Sequence, residues 1–420
     1  MSCQPVRGTR DLLEKELAQH HHLVEQAYRI MPLYGYQEIE TPIFEYTSVF
    51  QRSLGEASDI VGKEMYTFLD RSGESITLRP EGTAAVTRAI LSAGLTQTLP
   101  QKRFYKGPMF RHERPQKGRY RQFYQLGVEC FGIAQSFVDV ECIALANQLL
   151  QQWKIQDYTL TINTLGDQES RQAYRQALIN YFRRYVQDLS HDSQLRLERN
   201  PLRIFDSKDP KDQALFPEAP AFEDFLNASS RQFFDQVLKG LQDLHIPFTH
   251  NQRLVRGIDY YCHTAFEFTV KGLEAAQNTV LAGGRYDGLM EQLGGPSLPG
   301  IGWACGLDRL ALLLPPCLTP PSSLRIAVIA MGEEFQSVAL QWAQTLRQQF
   351  FSVEMPFHGN VSKRLKAADK AGCQIALLFG EDEYKTHQVK VRHLMNDQLE
   401  KEKLVALSDI VSYLSSFRKA

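Results

Sequence analysis

Between Lys102 and Arg121 the chain carries eight lysines and arginines against a single acid, Glu113. Guanidinium groups form paired, charge-assisted hydrogen bonds, so such a cluster is suited to gripping phosphate or carboxylate oxygens. Arg103 to Arg111 and Arg121 to Glu129 each read as a strand, joined by a loop in which Pro115 and Gly118 form the turn. Side chains alternate along a strand, sending Leu126 and Val128 to one face and Gln125, Gly127 and Glu129 to the other. The first face is core. The second is polar, and the glycine at its centre is expected to leave floor space on which a ligand can lie.

Bulk properties mostly exclude alternatives. The chain has 420 residues, 43% of them hydrophobic, enough for two or three domains with cores of their own and too apolar for disorder. Lys and Arg number 47 against 48 Asp and Glu, a formal net charge of -1, so any contact with nucleic acid has to use a local patch. Seven scattered cysteines without a Cys-x-x-Cys pair suggest neither zinc nor redox work and read as reduced thiols of a cytoplasmic protein. The N-terminus lacks a secretory core, and no apolar run approaches the roughly 20 residues that cross a bilayer, so no membrane association is expected. His20, His21 and His22 fall on an expected helix from Asp11 to Met31, point in different directions, and are expected on a solvated or half-buried face. No metal site is expected.

Tyr34 to Gly132 alternates short apolar strands with turns, the mark of an antiparallel sheet, and lacks the glycine fingerprints of Rossmann and Walker A loops. A helix is expected from Phe137 to Trp153 and a strand from Tyr158 to Leu165. Residues 1-165 and 249-314 are taken as two parts of one domain, with a polar helical insertion over 166-248. Pro315-Pro-Cys-Leu-Thr-Pro-Pro-Ser reads as a stiff linker over 315-322, and 323-420 as a compact domain of alternating strands and helices.

The string Phe110-Arg-His-Glu-Arg-Pro resembles motif 2 of class II aminoacyl-tRNA synthetases. Gly302-Trp-Ala-Cys-Gly-Leu-Asp-Arg-Leu resembles motif 3, and Tyr34-Gly-Tyr-Gln-Glu-Ile-Glu-Thr-Pro-Ile-Phe resembles motif 1, with Pro42 as the proline of the dimer interface. Leu254-Val-Arg-Gly-Ile-Asp-Tyr-Tyr and Ala282-Gly-Gly-Arg-Tyr-Asp-Gly-Leu closely resemble the two signature peptides of histidyl-tRNA synthetases. The resemblance extends over nearly the whole chain.

It implies an α/β protein: an α+β catalytic domain with an antiparallel sheet flanked by helices, a helical insertion and a C-terminal anticodon-binding domain, assembled as a homodimer. The implied reaction uses ATP, with Mg2+ between its β- and γ-phosphates, to convert L-histidine to histidyl-adenylate and pyrophosphate. Histidine then passes to the 3' end of tRNA(His). By motif, Arg111 grips the α-phosphate, Arg119 reaches the γ-phosphate, and Arg309 is the second phosphate arginine. Glu129 is also placed near ATP, while Gln116 and Arg121 face the tRNA acceptor end. Glu81, Gly82, Thr83 and Gln125 are placed at the histidine α-amino group, Glu129 and Tyr261 at the imidazole, and Tyr260 and Tyr286 along the pocket wall. Arg256 lies across the α-phosphate from Arg111, where other class II enzymes place a metal. Arg111, Arg256 and Arg309 are thus the expected catalytic residues, the first two also touching histidine, and no protein nucleophile is needed. Two positions depart from the family pattern: Asp308 stands where glutamate is common, and Cys262 where a polar residue without a thiol is frequent. The alternative is a related non-catalytic regulatory subunit of histidine biosynthesis. That paralogue lacks an anticodon domain, whereas this chain retains the arginines and residues 323-420.

Overall fold

The computed structural model describes residues 3-55, 58, 60-254, 260-271, 278-315, 324-395 and 401-417. The chain divides into two compact units, residues 1-318 and 319-420.

In the first unit the strands run β1 (Gln37–Glu38), β2 (Phe44–Tyr46), β3 (Tyr66–Leu69), β4 (Ser75–Leu78), β5 (Gln101–Phe110), β6 (Gln122–Phe131), β7 (Tyr158–Thr164), β8 (Thr249–His250), β9 (Cys262–Val270), β10 (Thr279–Arg285) and β11 (Gly300–Gly306). Eight of them form one sheet in the order β1-β5-β6-β11-β10-β9-β7-β8, antiparallel except where the short β1 and β8 close its edges in parallel. The small sheet β2-β4-β3 stands apart from it. The expected basic hairpin is β5 and β6, ten residues each, with Arg111 and Arg121 just beyond the strands and joined by a backbone hydrogen bond of 2.9 Å.

Alternation along β6 and β11 divides the sheet into two faces. Leu126, Val128 and Cys130 of β6, with Ile301, Trp303 and Cys305 of β11, join the larger core beneath the helices Glu14–Ile30, Phe137–Gln152 and Ala228–Asp243. The opposite face carries Gln125, Gly127 and Glu129 and looks toward a second core of Tyr105, Tyr260, Tyr261 and Tyr286 with the helices Thr47–Leu54 and Thr83–Ser92. This aromatic, glycine-rich face is where a site can form.

The expected insertion over 166-248 is not one module. Tyr174, Leu178, Phe182, Leu197, Ile204 and Phe222 make a small core of their own. The helix Ala228–Asp243, by contrast, sends Phe234, Val237 and Leu241 into the main core. Gly240 makes that possible, since a Cβ there would stand 2.7 Å from Val140 of the neighbouring helix. The polar face of this helix dominates its sequence and masks the apolar stripe.

The histidine run also differs from expectation at one position. His20 is 4% exposed, with Nε2 at 3.7 Å from Asp308 and its ring edge-on to Tyr124, while His21 is exposed and His22 half-buried. In the second unit five strands form a mixed sheet, Ser352–Glu354, Arg325–Ala330, Ile375–Phe379, Gln388–His393 and Glu402–Ala406 in spatial order, the first three parallel. Its central strand Ile375–Phe379 is buried throughout, as its continuous apolar run implies.

Asp139 and Arg285 are both fully buried and paired, Arg285 Nε donating to the carboxylate at 3.1 Å and Nη1 to Asp287 at 3.0 Å. The pair fastens the helix Phe137–Gln152 to the end of β10. Breaking one half strands the other charge, so Arg285→Met is expected to lower the stability of the first unit by about 3–5 kcal/mol. Urea unfolding followed by tryptophan fluorescence measures it, and an unchanged midpoint would show that the pair is not a brace.

Candidate active site

A cavity of about 360 Å³ opens on the aromatic face of the sheet, lined among others by Glu81, Thr83, Arg111, Glu113, Arg119, Gln125, Tyr260, Tyr261, Asp308 and Arg309. Its two ends differ in chemistry.

One end is closed and built around Glu129, which has no exposed surface. In the sheet, Glu129 sits opposite Gly302 of β11, and Gly302 opposite Gly284 of β10. Any side chain at Gly302 would collide with the Glu129 carboxylate, and a Cβ at Gly284 would stand 2.9 Å from the Tyr261 ring. Gly284, Gly302 and Gly300 are therefore hollows for Tyr261, Glu129 and Tyr286 respectively. The Thr83 hydroxyl donates to Glu129 at 2.7 Å and the Tyr286 hydroxyl donates to its other oxygen. Tyr260 packs on Tyr261 and Tyr286, with ring centroids 4.7 and 5.5 Å apart. Burial pushes the Glu129 carboxyl up to about 8, against the Tyr286 and Thr83 hydroxyls, which favour the charged form.

Glu81 caps the helix Thr83–Ser92 from below, accepting the amides of Thr83 at 2.6 Å and Ala84 at 2.8 Å. Burial raises its carboxyl while those amides pull the other way. Gln125 stands on the same face, and its buried Oε1 has no hydrogen-bond partner among the described residues. A buried orphaned acceptor is costly unless a donor arrives.

The other end is cationic. Arg111 Nε donates to the Pro80 carbonyl at 2.9 Å, and its Nη1 lies 3.8 Å from Glu113. Arg119 pairs with the same Glu113 carboxylate. Arg309 donates to the Thr279 carbonyl, and its buried Nε has no partner among the described residues. Burial first, then repulsion from Arg119 and Arg111, lowers its hold on the proton. Three guanidiniums thus line one end of the cavity, two of them paired with Glu113, an arrangement suited to an anion.

The expected residues separate accordingly. Glu81, Thr83, Gln125, Tyr260 and Tyr261 line one end, with Glu129 and Tyr286 buried behind Thr83 and Tyr260; Arg111, Arg119 and Arg309 line the other, and Gly82 leads into the capped helix. Glu129, expected beside ATP as well, is tied by its hydrogen bonds to the closed end. Gln116 lies exposed at the loop tip in a bridge with Arg119. Arg121 is half-buried, its Nε donating to the Glu113 carbonyl at 3.2 Å and its Nη1 to the Arg7 carbonyl at 3.3 Å. Arg256 and Asp259 lie outside the described residues. Cys262 accepts the Asp287 amide at 3.3 Å and burial pushes its thiol up to about 12, consistent with packing.

The floor space expected over Gly127 is occupied. Tyr105, its partner across the hairpin, fills it, and a Cβ at either Gly127 or Gly82 would strike that ring. Tyr105 was not singled out from the sequence, although the register between two ten-residue strands could have found it. Asp308 is 4% exposed and accepts the Tyr124 amide at 2.7 Å, so the shorter side chain is fully engaged.

Residues 8–310 match the family model described as histidyl-tRNA synthetase, and residues 325–417 that of an anticodon binding domain. A histidine–tRNA ligase of Gluconobacter oxydans is 51% identical over 416 residues, spanning 99% of both chains. One from Rhodospirillum rubrum is 50% identical over 413 residues, 98% of this chain and 99% of its own. Among solved structures, apo histidyl-tRNA synthetase of S. aureus superposes with a TM-score of 0.83 at 33% identity, covering 98% of this chain and 100% of that one. A Bacillus halodurans C protein described as an ATP phosphoribosyltransferase regulatory subunit/histidyl-tRNA synthetase shares the fold, with a TM-score of 0.65 at 21% identity over 91% of this chain.

A carboxyl whose folded value is raised binds its proton more tightly in the folded state. Its stabilisation is present below the unfolded value and is lost as pH rises through the folded one. The thermal midpoint of the ligand-free protein is therefore expected to fall between about pH 5 and 8, and Glu129→Gln to make that slope shallower. An identical slope in the variant would show that Glu129 is charged throughout.

Proposed function

The chain belongs to the histidyl-tRNA synthetase family and charges tRNA with histidine, and we propose that the two ends of the cavity divide this reaction between them. The cationic end takes the phosphates of ATP, and the closed end takes L-histidine. The histidine carboxylate attacks the α-phosphorus in line, the bond to the bridging oxygen breaks, and pyrophosphate leaves. In the second step the terminal ribose hydroxyl of tRNA(His) attacks the carbonyl of the adenylate and AMP departs.

Two buried atoms of the cavity lining without a hydrogen-bond partner among the described residues, Gln125 Oε1 and Arg309 Nε, carry this reading. One is an acceptor where an ammonium is to bind, the other a donor where a phosphate is to bind. Glu81 and Gln125 take the α-amino group, with Thr83 beside them. Glu129 and Tyr261 satisfy the two imidazole nitrogens. A ring lacking those nitrogens forgoes the hydrogen bonds to Glu129 and Tyr261 while still displacing water from the pocket, which is the physical basis of discrimination. Arg111, Arg119 and Arg309 stabilise charge as it moves onto pyrophosphate, and Arg256 is assigned to the α-phosphate from its sequence position alone.

Magnesium fits this end as an ion carried by ATP. Glu113, the carboxylate among the arginines, is already paired with two of them, and the described residues hold no group of three metal-ligating side chains. Phosphate oxygens and water would hold the cation, which neutralises the leaving pyrophosphate. The exposed loop tip from Arg114 to Lys117, including Gln116, is assigned to the tRNA acceptor end, and residues 325–417 to its anticodon. Arg121 braces the loop. These partners meet in the cytoplasm.

The homodimer is assigned to the small sheet and the segment leading into it from Pro42. Ile43, Phe44, Tyr46, Phe68 and Leu69 are all at least 43% exposed there, an apolar patch that a second copy would cover. Light scattering should give twice the 48.0 kDa of one chain, and Phe44→Lys with Leu69→Lys should halve it. A wild-type mass of one chain would remove this assignment.

Histidine-dependent ATP–pyrophosphate exchange tests the division of the cavity. Arg111→Ala and Arg309→Ala are expected to slow exchange by about 10²–10³, with circular dichroism unchanged. A rate within about twofold of wild type for either variant would exclude that arginine from the phosphates.

A further inference from the structure

The chain's first described residues lie against the mouth of the cavity, and none of the roles above uses them. We propose that this strap, residues 7-11, belongs to the ATP subsite and that Arg10 is a positioning residue for the arginine cluster. The inference rests on reading that cluster as the phosphate site.

The strap is bonded to the loop on both its backbone and its side chains. The Gly8 carbonyl accepts the Arg121 amide at 2.8 Å, and Arg121 Nη1 donates to the Arg7 carbonyl at 3.3 Å. Gly8 has φ +88°, and a Cβ there would stand 2.9 Å from both Arg121 and Pro115, so only glycine allows this approach. Two residues on, the Arg10 guanidinium spreads over three partners. Nη2 meets Asp308 at 2.8 Å, Nη1 meets Glu16 at 2.9 Å, and the Cζ lies 4.2 Å above the Tyr120 ring.

Those partners are the supports of the cationic end. Asp308 precedes Arg309 and, through its second oxygen, takes the Tyr124 amide of β6. Tyr120 adjoins Arg119, and both Tyr120 and Asp308 line the cavity. Arg309 is repelled by Arg119 and Arg111, and Glu113 pairs with those two but not with Arg309 among the described ion pairs. Without ATP they would drift apart unless the loop stem and the turn before Arg309 were tied together. Arg10 is that tie, since one planar fork reaches Asp308 and the face of Tyr120 at once. A lysine cannot make both contacts. His20 Nε2 also faces this carboxylate, at 3.7 Å.

Steady-state pyrophosphate exchange on the full-length protein separates positioning from simple bracing. Arg10→Ala is expected to raise the KM for ATP at least about tenfold while the KM for histidine changes less than about threefold. Arg10→Lys keeps a cation for Asp308 and is expected to restore the melting midpoint but not the KM for ATP. Gly8→Ala, which leaves Arg10 and Asp308 in place, is expected to raise the KM for ATP as well. If the two KM values move together, if neither moves, or if lysine restores the ATP constant along with the melting midpoint, the strap is a structural brace and the proposal fails. Arg309→Ala, run alongside, distinguishes the premise. An unchanged ATP constant in that variant refutes the phosphate reading itself, whereas a raised one beside an unaffected Arg10→Ala refutes only the role of the strap.

Discussion

A carboxylate with no exposed surface, held between two hydroxyls on the inner face of a sheet, governs the arrangement around it. Burying Glu129 is costly unless its oxygens are hydrogen-bonded, and Thr83 and Tyr286 meet that requirement. Tyr286 can reach it because Gly300 leaves room for the Tyr286 ring, and Glu129 has space because Gly302 has no side chain. The next residue back from Tyr286 is Arg285, fixed by Asp139 from the helix behind the sheet. The specificity end is thus anchored through the sheet to the main core, as a site that must distinguish similar rings requires.

The cationic end is built on the opposite principle. Its parts are a loop stem, the helix Leu307–Ala311 that follows β11, and the strap of residues 7-11. Like charges hold it open, and a single acid, Glu113, keeps two of them in place until an anion arrives. Rigid recognition of the amino acid is therefore combined with an electrostatically loaded phosphate site that ATP itself completes.

Much of this was legible in the sequence because it depends on local period and residue type. The alternation in Gln125 to Glu129 set which side chains share a face, and the alternating strands and helices expected over 323-420 form the second unit. What escaped depends on contacts between distant segments. Tyr105 fills the space over Gly127 because of hairpin register, Arg10 meets Asp308 across 298 residues, and Phe234 enters the main core from a helix whose composition looks like surface.

The central claim is that Glu129 and its neighbours read the nitrogens of imidazole. Calorimetric titration of the ligand-free protein with histidine and with β-thienylalanine, a five-membered ring without nitrogen, tests it most directly. The account predicts that thienylalanine binds at least about a thousandfold more weakly, because its ring makes no hydrogen bond to Glu129 or Tyr261. Affinities within about tenfold of each other would mean that the pocket selects by shape, and the role given to Glu129 would be wrong.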